Sequence, residues 1–225
     1  MGKHRPEKEI LEGIKQKHPR RGFDGFLYFK ICNEAYNLVE EKRLEYDKLI
    51  RSSPPRQSKY RRSTREELDL LSKIREQESV AIAFAAMCLE ACIWDYAACG
   101  TSQNKAKDNF MPLNLVGKWV IIPKLLCGSD ITQLRMGTTC ILDKLRKLKK
   151  ARDSFVHPKS SPLPNTVKEA LGAICKRNGI SVSDAFELIR LLLVELEKVD
   201  KTNWWFFQTP DYKHVVKGLS KPSTS

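Results

Sequence analysis

Between Val80 and Cys99 the chain runs for 20 residues with only two charges, Glu90 and Asp95. A stretch that long and apolar is either a membrane span or the central helix of a folded core. The acidic pair argues for the core, because an Asp at a bilayer centre costs ~2.5–3.5 kcal/mol. The expectation is a buried helix in a soluble protein that does not enter a membrane. The other patterns have to be arranged around it.

They are helical too. From about Phe26 to Ile50, Phe29, Cys32, Tyr36, Val39 and Arg43 recur at spacings of three and four, which predicts a first helix. Ser52 to Arg62, with Pro54 and Pro55, reads as a linker or exposed loop. Thr64 with Glu67 three residues on is a capping-box start, opening a long helix that should end near Gly100. The polar residues 101–109 predict a loop, and Pro112 to Leu126 a shorter helix broken at Pro123 and closed by Gly128. Asp130 reads as the cap of another long helix running to Val156 and stopped by Pro158. Two more helices are expected over 164–177 and 182–200, the second capped by Ser181 or Ser183. No stretch alternates with period two for long enough to make a strand, so the expected class is all-α. The division this suggests is a basic arm, helix and linker over 1–63, a helical bundle over 64–200, and a tail over 201–225.

Charge points to an anionic partner. The chain carries 40 Lys+Arg against 27 Asp+Glu, a formal +13. The excess is uneven, since residues 1–65 hold 17 basic and 9 acidic side chains. A basic arm leading into a more balanced body suits nucleic acid better than a specific small anion, although a solubilising surface would look similar. The seven cysteines (32, 88, 92, 99, 127, 140 and 175) form no CxxC and no metal-ligand cluster, which fits reduced, buried thiols. No metal or cofactor is expected. The first residues contain Glu7, Glu9 and Glu12 and no apolar signal-peptide core, so the expected location is cytoplasmic.

Chemistry concentrates at the end of the helix expected over Asp130 to Val156. Leu134, Thr138, Ile141, Leu145, Leu148, Arg152 and Phe155 recur at spacings of four and three, which places an arginine on the core seam. A buried guanidinium needs a partner, either a carboxylate or a ligand phosphate. Glu90, the only charge between Val80 and Trp94, is the candidate carboxylate. Their pairing would either fix helix register alone or hold Arg152 ready for a ligand. His157 bears on this choice. Pro158 disfavours the α conformation at His157, which can swing the imidazole back beside Arg152. There the helix dipole favours the protonated ring and the guanidinium opposes it, an arrangement suited to proton transfer.

Arg152-Asp153-Ser154-Phe155-Val156-His157 resembles the signature of HEPN domains, an arginine and a polar residue followed shortly by a histidine. The Ala-rich segment Ala85-Ala86-Met87-Cys88-Leu89-Glu90-Ala91 is similar to the first long HEPN helix, and Trp119 to Leu126 to connecting segments of some members. The likeness covers about residues 64–200. It implies a helical bundle that forms a homodimer with two motifs facing each other, and in many members a metal-independent endoribonuclease of toxin–antitoxin, antiviral or RNA-processing systems. Carried over by position, His157 would be the general acid–base group, Arg152 would stabilise the scissile phosphate, Asp153 would orient one of them, and Glu90 would hold Arg152. The alternative that the resemblance allows is a non-catalytic module binding a partner protein, such as an antitoxin, or a nucleotide.

Lys144, Arg146, Lys147, Lys149 and Lys150 crowd the turns before the motif and are the candidate RNA contacts, set against an ordinary solvated face. Arg56 to Arg65 with Tyr60 offers a weaker single-strand site. Trp204-Trp205-Phe206-Phe207 reads as core or dimer packing.

Overall fold

The computed structural model describes residues 24–52, 64–156 and 179–200, together with positions 207, 212, 213 and 215. In chain order the elements are α1 (Asp24–Ser52), α2 (Arg65–Gly100), α3 (Gln103–Phe110), α4 (Leu115–Cys127), a 3₁₀ turn (Ile131–Gln133), β1 (Arg135–Met136), β2 (Thr139–Cys140), α5 (Ile141–Val156) and α6 (Val182–Val199). The class is all-α, with one antiparallel two-stranded ribbon among the described residues. The linker after Ser52, the helix expected over 164–177, Cys175, His157 and Trp204 to Phe206 lie outside the described residues.

Helix α2 is the axis of the fold and packs against every other helix described. Its start is the expected capping box: Thr64 Oγ1 accepts from the Glu67 amide at 3.1 Å, and the Glu67 carboxylate accepts from the Thr64 amide at 3.0 Å. It is also the one described helix long and apolar enough to cross a membrane by length and composition. Its apolar side chains, among them Ile82, Ala85, Ala86, Leu89 and Ile93, are buried in the protein core.

Helix α1 runs antiparallel to α2 and contributes Phe29, Cys32 and Ala35 to that same core. The two helices come closest where Gly25 faces Cys92. A Cβ on Gly25 would sit 2.8 Å from the Cys92 Sγ, closer than two such atoms can approach. Gly25→Ala should therefore destabilise by ~1–3 kcal/mol in urea unfolding, the range for overpacking a core. In a Cys92→Ala background the same change should cost clearly less. Equal costs in both backgrounds would show that the close approach is not the cause.

Helix α6 closes the other side of α1 and α2. Ser181 is its cap, accepting from the Asp184 amide at 3.0 Å. Phe186 packs between Phe29 and Tyr36, with ring centroids 5.9 and 4.8 Å away. At the far end the Tyr96 hydroxyl donates to the buried Asp200 carboxylate at 2.6 Å, tying the end of α6 to α2. Phe207 is buried against Tyr96 and Tyr212, so this member of the aromatic run belongs to the core.

Three expectations are corrected. Residues 101–109 are not a loop: Ser102 caps α3, and Ala106 and Phe110, four apart, bury its inner edge despite its polar composition. Pro123 does not break α4, which continues to Cys127 and ends at Gly128 in the left-handed conformation (φ +71°). Asp130 does not open the long helix. Its carboxylate caps the 3₁₀ turn, accepting from Thr132 at 2.9 Å, and Gly137 (φ +61°) then turns the short ribbon. Helix α5 begins only at Ile141, so Leu134 and Thr138 are not on its seam, and Thr138 is exposed.

Candidate functional site

Helix α5 is strongly amphipathic over its actual length. Ile141, Leu145 and Leu148 are fully buried against the core. The next turn on that side carries Arg152, whose side chain is 21% exposed, so the seam reaches the protein surface there. Arg152 Nη1 donates to Glu90 Oε2 at 2.6 Å, which is the pairing the sequence predicts. Its Nε and Nη2 donate to Asp153 Oδ1 at 3.1 and 2.9 Å. Of the five N–H groups of the guanidinium, two are left without an acceptor among the described residues.

Glu90 departs from expectation in one respect. Its side chain is 34% exposed, so it is half-buried rather than shut away from water. Its second oxygen is occupied by a residue that sequence reasoning missed. Lys118 Nζ, on α4, donates to Glu90 Oε1 at 2.7 Å and lies 5.5 Å from the centroid of the Trp94 ring. Lys118 is 7% exposed and is the more deeply buried cation of the two. The signal was available: Lys118 is the only charge between Leu113 and Pro123, as Glu90 is within its own apolar run.

The cluster therefore forms a ladder of alternating charge across three helices. It runs from Lys118 through Glu90, Arg152 and Asp153 to Lys149, whose Nζ reaches Asp153 Oδ2 at 2.5 Å. Three cations to two carboxylates leave the cluster net positive. Burial acts to raise the Glu90 pKa, but the Lys118 hydrogen bond and the charges of Lys118 and Arg152 outweigh it and hold the carboxyl below its usual range. Burial opposes the charge on Arg152 as well, and Asp153 and Glu90 reverse the effect, raising its pKa. Asp153 follows Glu90: the hydrogen bonds of Lys149 and Arg152 overcome desolvation and lower it. Glu90, Arg152 and Asp153 are therefore ionised near neutral pH, where they orient and attract and do not exchange protons.

The five expected RNA contacts fall into three groups. Lys144 is drawn away from the others, paired with Asp184 of α6 at 2.7 Å and mostly buried. Lys149 belongs to the ladder. Arg146, Lys147 and Lys150 are exposed, Arg146 in a solvated pair with Asp143 at 2.8 Å. Arg146, Lys149, Lys150 and Asp153 recur at spacings of three and four, so these three cations share one face of α5 with Asp153. His157 immediately follows α5 and lies outside the described residues.

A chemical division of labour follows from this. Arg152 has a fixed plane and, among the described residues, two donors without an acceptor; Glu90, itself held by Lys118, grips it from behind, and the exposed Lys147 and Lys150 of α5 add positive charge. Such a constellation can bind and polarise a phosphate group. Comparison with protein-family models, with curated proteins and with solved structures gave no match.

Proposed function

We propose that this chain is a metal-independent endoribonuclease of HEPN type that works as a homodimer, with Arg152 and His157 at the reacting phosphate. The observation that carries the reading is the guanidinium of Arg152, held by Glu90 and Asp153 with two N–H groups that have no acceptor among the described residues. A phosphate arriving along α5 would accept from that guanidinium, and charge developing on a non-bridging oxygen would be stabilised there. His157 would take the proton of the 2′-hydroxyl, whose oxygen attacks phosphorus, and the imidazolium so formed would return that proton to the 5′-oxygen as it leaves. The products are a 2′,3′-cyclic phosphate and a 5′-hydroxyl. Because the nucleophile is the neighbouring ribose hydroxyl, the reaction needs neither an external water nor a metal to activate one.

RNA affinity on this reading is set by the exposed cations. Changing Arg146, Lys147 and Lys150 together to Gln should reduce the slope of log affinity against log salt by about 2, since each single-strand phosphate contact contributes ~0.7. Lys144→Gln, which removes a half-buried pair with Asp184, should lower stability and leave the slope unchanged. If the triple variant keeps the wild-type slope, RNA binds elsewhere, the arm before Arg65 being the first place to look.

The test of the whole reading is incubation of the purified protein with mixed RNA in EDTA, with identification of the cut ends. A second reading is favoured by one observation: both Glu90 oxygens and both Asp153 oxygens are already satisfied internally. A ladder closed on itself would also serve a non-catalytic module that binds a partner protein or a nucleotide. Wild-type protein that cuts no RNA would replace the first reading with this one.

A further inference from the structure

The exposed end of the ladder has the form of an occupied anion site. Asp153 Oδ1 receives Nε–H and Nη2–H from one edge of the Arg152 guanidinium, and Oδ2 receives the Lys149 ammonium. One edge of a guanidinium together with an ammonium, converging on two oxygens of a single acid group, is the donor set that a phosphodiester engages. The carboxylate filling it comes from the neighbouring residue on the same helix. It is about one-third exposed and hangs on a short side chain with two torsions. Turning out to water would cost it little.

We infer that Asp153 is an internal stand-in for a phosphodiester: its carboxylate closes an anion site made by Arg152 and Lys149, and a phosphate of an RNA strand binds by displacing it. The inference rests on the reading of this end of α5 as an RNA contact, and it adds how that contact is kept closed. Glu90 makes the exchange feasible. It grips Arg152 Nη1 from α2 and is itself held by the buried Lys118, so the guanidinium keeps its plane when Asp153 swings away. The second cation is also needed, because the carbonyl end of a helix repels an anion. A carboxylate with this function lowers affinity for stray anions and is overcome by a polyanion whose other phosphates are already held by Arg146, Lys147 and Lys150.

The experiment measures binding of a 2′-O-methyl oligoribonucleotide, which presents phosphodiesters but has no free 2′-hydroxyl to attack them. Wild type is compared with Asp153→Asn and with Asp143→Asn, which removes the same charge from the same helix at the exposed pair with Arg146. Asp153→Asn should bind about fivefold tighter or more, as expected for removing a like charge at contact distance. Asp143→Asn should change affinity by less than about twofold, its charge being solvated and screened. The Asp153→Asn gain should disappear when Lys149→Gln is added. Helical circular dichroism checks that each variant is folded, and Asp153→Ser provides a second replacement. No gain from either Asp153 variant, or an equal gain from Asp143→Asn, would overturn the inference. Because the probe is bound and not cut, a gain specific to Asp153 in a protein without nuclease activity supports the anion site and removes only the nuclease reading.

Discussion

Glu90→Ala should destabilise the protein by about 2–3 kcal/mol in urea unfolding, somewhat below the ~3–5 kcal/mol for breaking a fully buried pair. The discount comes from Glu90 itself, whose half-buried carboxylate is partly screened by water. The size that remains comes from Lys118, which is left almost fully buried with the Trp94 ring beside it and no carboxylate among the described residues. Adding Lys118→Met should recover part of the loss, because the stranded ammonium is then replaced by an apolar chain of similar length. A loss under about 1 kcal/mol for Glu90→Ala, or no recovery in the double variant, would reduce the ladder to a surface ion pair. Acid should show the same linkage. The folded-state pKa of Glu90 is lowered, so its contribution is complete above the unfolded value of ~4.3 and is lost as pH falls through the folded one. The stability gap between wild type and Glu90→Gln should therefore narrow below about pH 4 and stay constant above about pH 5.

The parts of this molecule that were legible in its sequence are those where one local signal agrees with burial. The capping box at Thr64 and the apolar run after it specify α2 almost to its ends, because helix start, length and core face all agree. Glu90 and Arg152 were legible as partners by the same logic: an isolated charge in an apolar pattern has to find its opposite. Lys118 satisfies that criterion equally well, but it stands in a helix whose proline predicts an interruption, which hides the continuity of its apolar face. The segment from Asp130 to Cys140 departs from its helical pattern for a different reason. Asp130 caps a turn, and nothing in an N-cap residue says whether one turn or six will follow. Gly137 and the two threonines after it were the contrary signal, being poor helix formers at the point where the ribbon turns. Lys144 exposes a further limit. Its spacing puts it with the other basic residues of α5, but its role depends on Asp184, forty residues away, and helical periodicity carries no information about that approach.

The largest effect expected on activity is that His157→Ala abolishes RNA cleavage while leaving RNA binding and helical content close to wild type. Proton transfer by a positioned side chain contributes ~10²–10⁴-fold, whereas the affinity of a basic protein for RNA comes mainly from phosphate contacts that an imidazole hardly affects. Arg152 should behave differently. Arg152→Ala removes the phosphate contact and also leaves Glu90 and Asp153 without their shared cation, so both activity and stability should fall. Arg152→Lys separates the two roles. An ammonium can still neutralise Glu90, so much of the stability should return, but it cannot hold Glu90 and also make the planar two-point contact with a phosphate, so cleavage should not. Each protein is assayed in EDTA on unmodified RNA, with the cut ends examined for 2′,3′-cyclic phosphate. If His157→Ala cuts as fast as wild type, the acid–base role leaves His157. Recovery of cleavage by Arg152→Lys would mean that Arg152 acts only as a positive charge, and the planar contact proposed for the transition state would have to be given up.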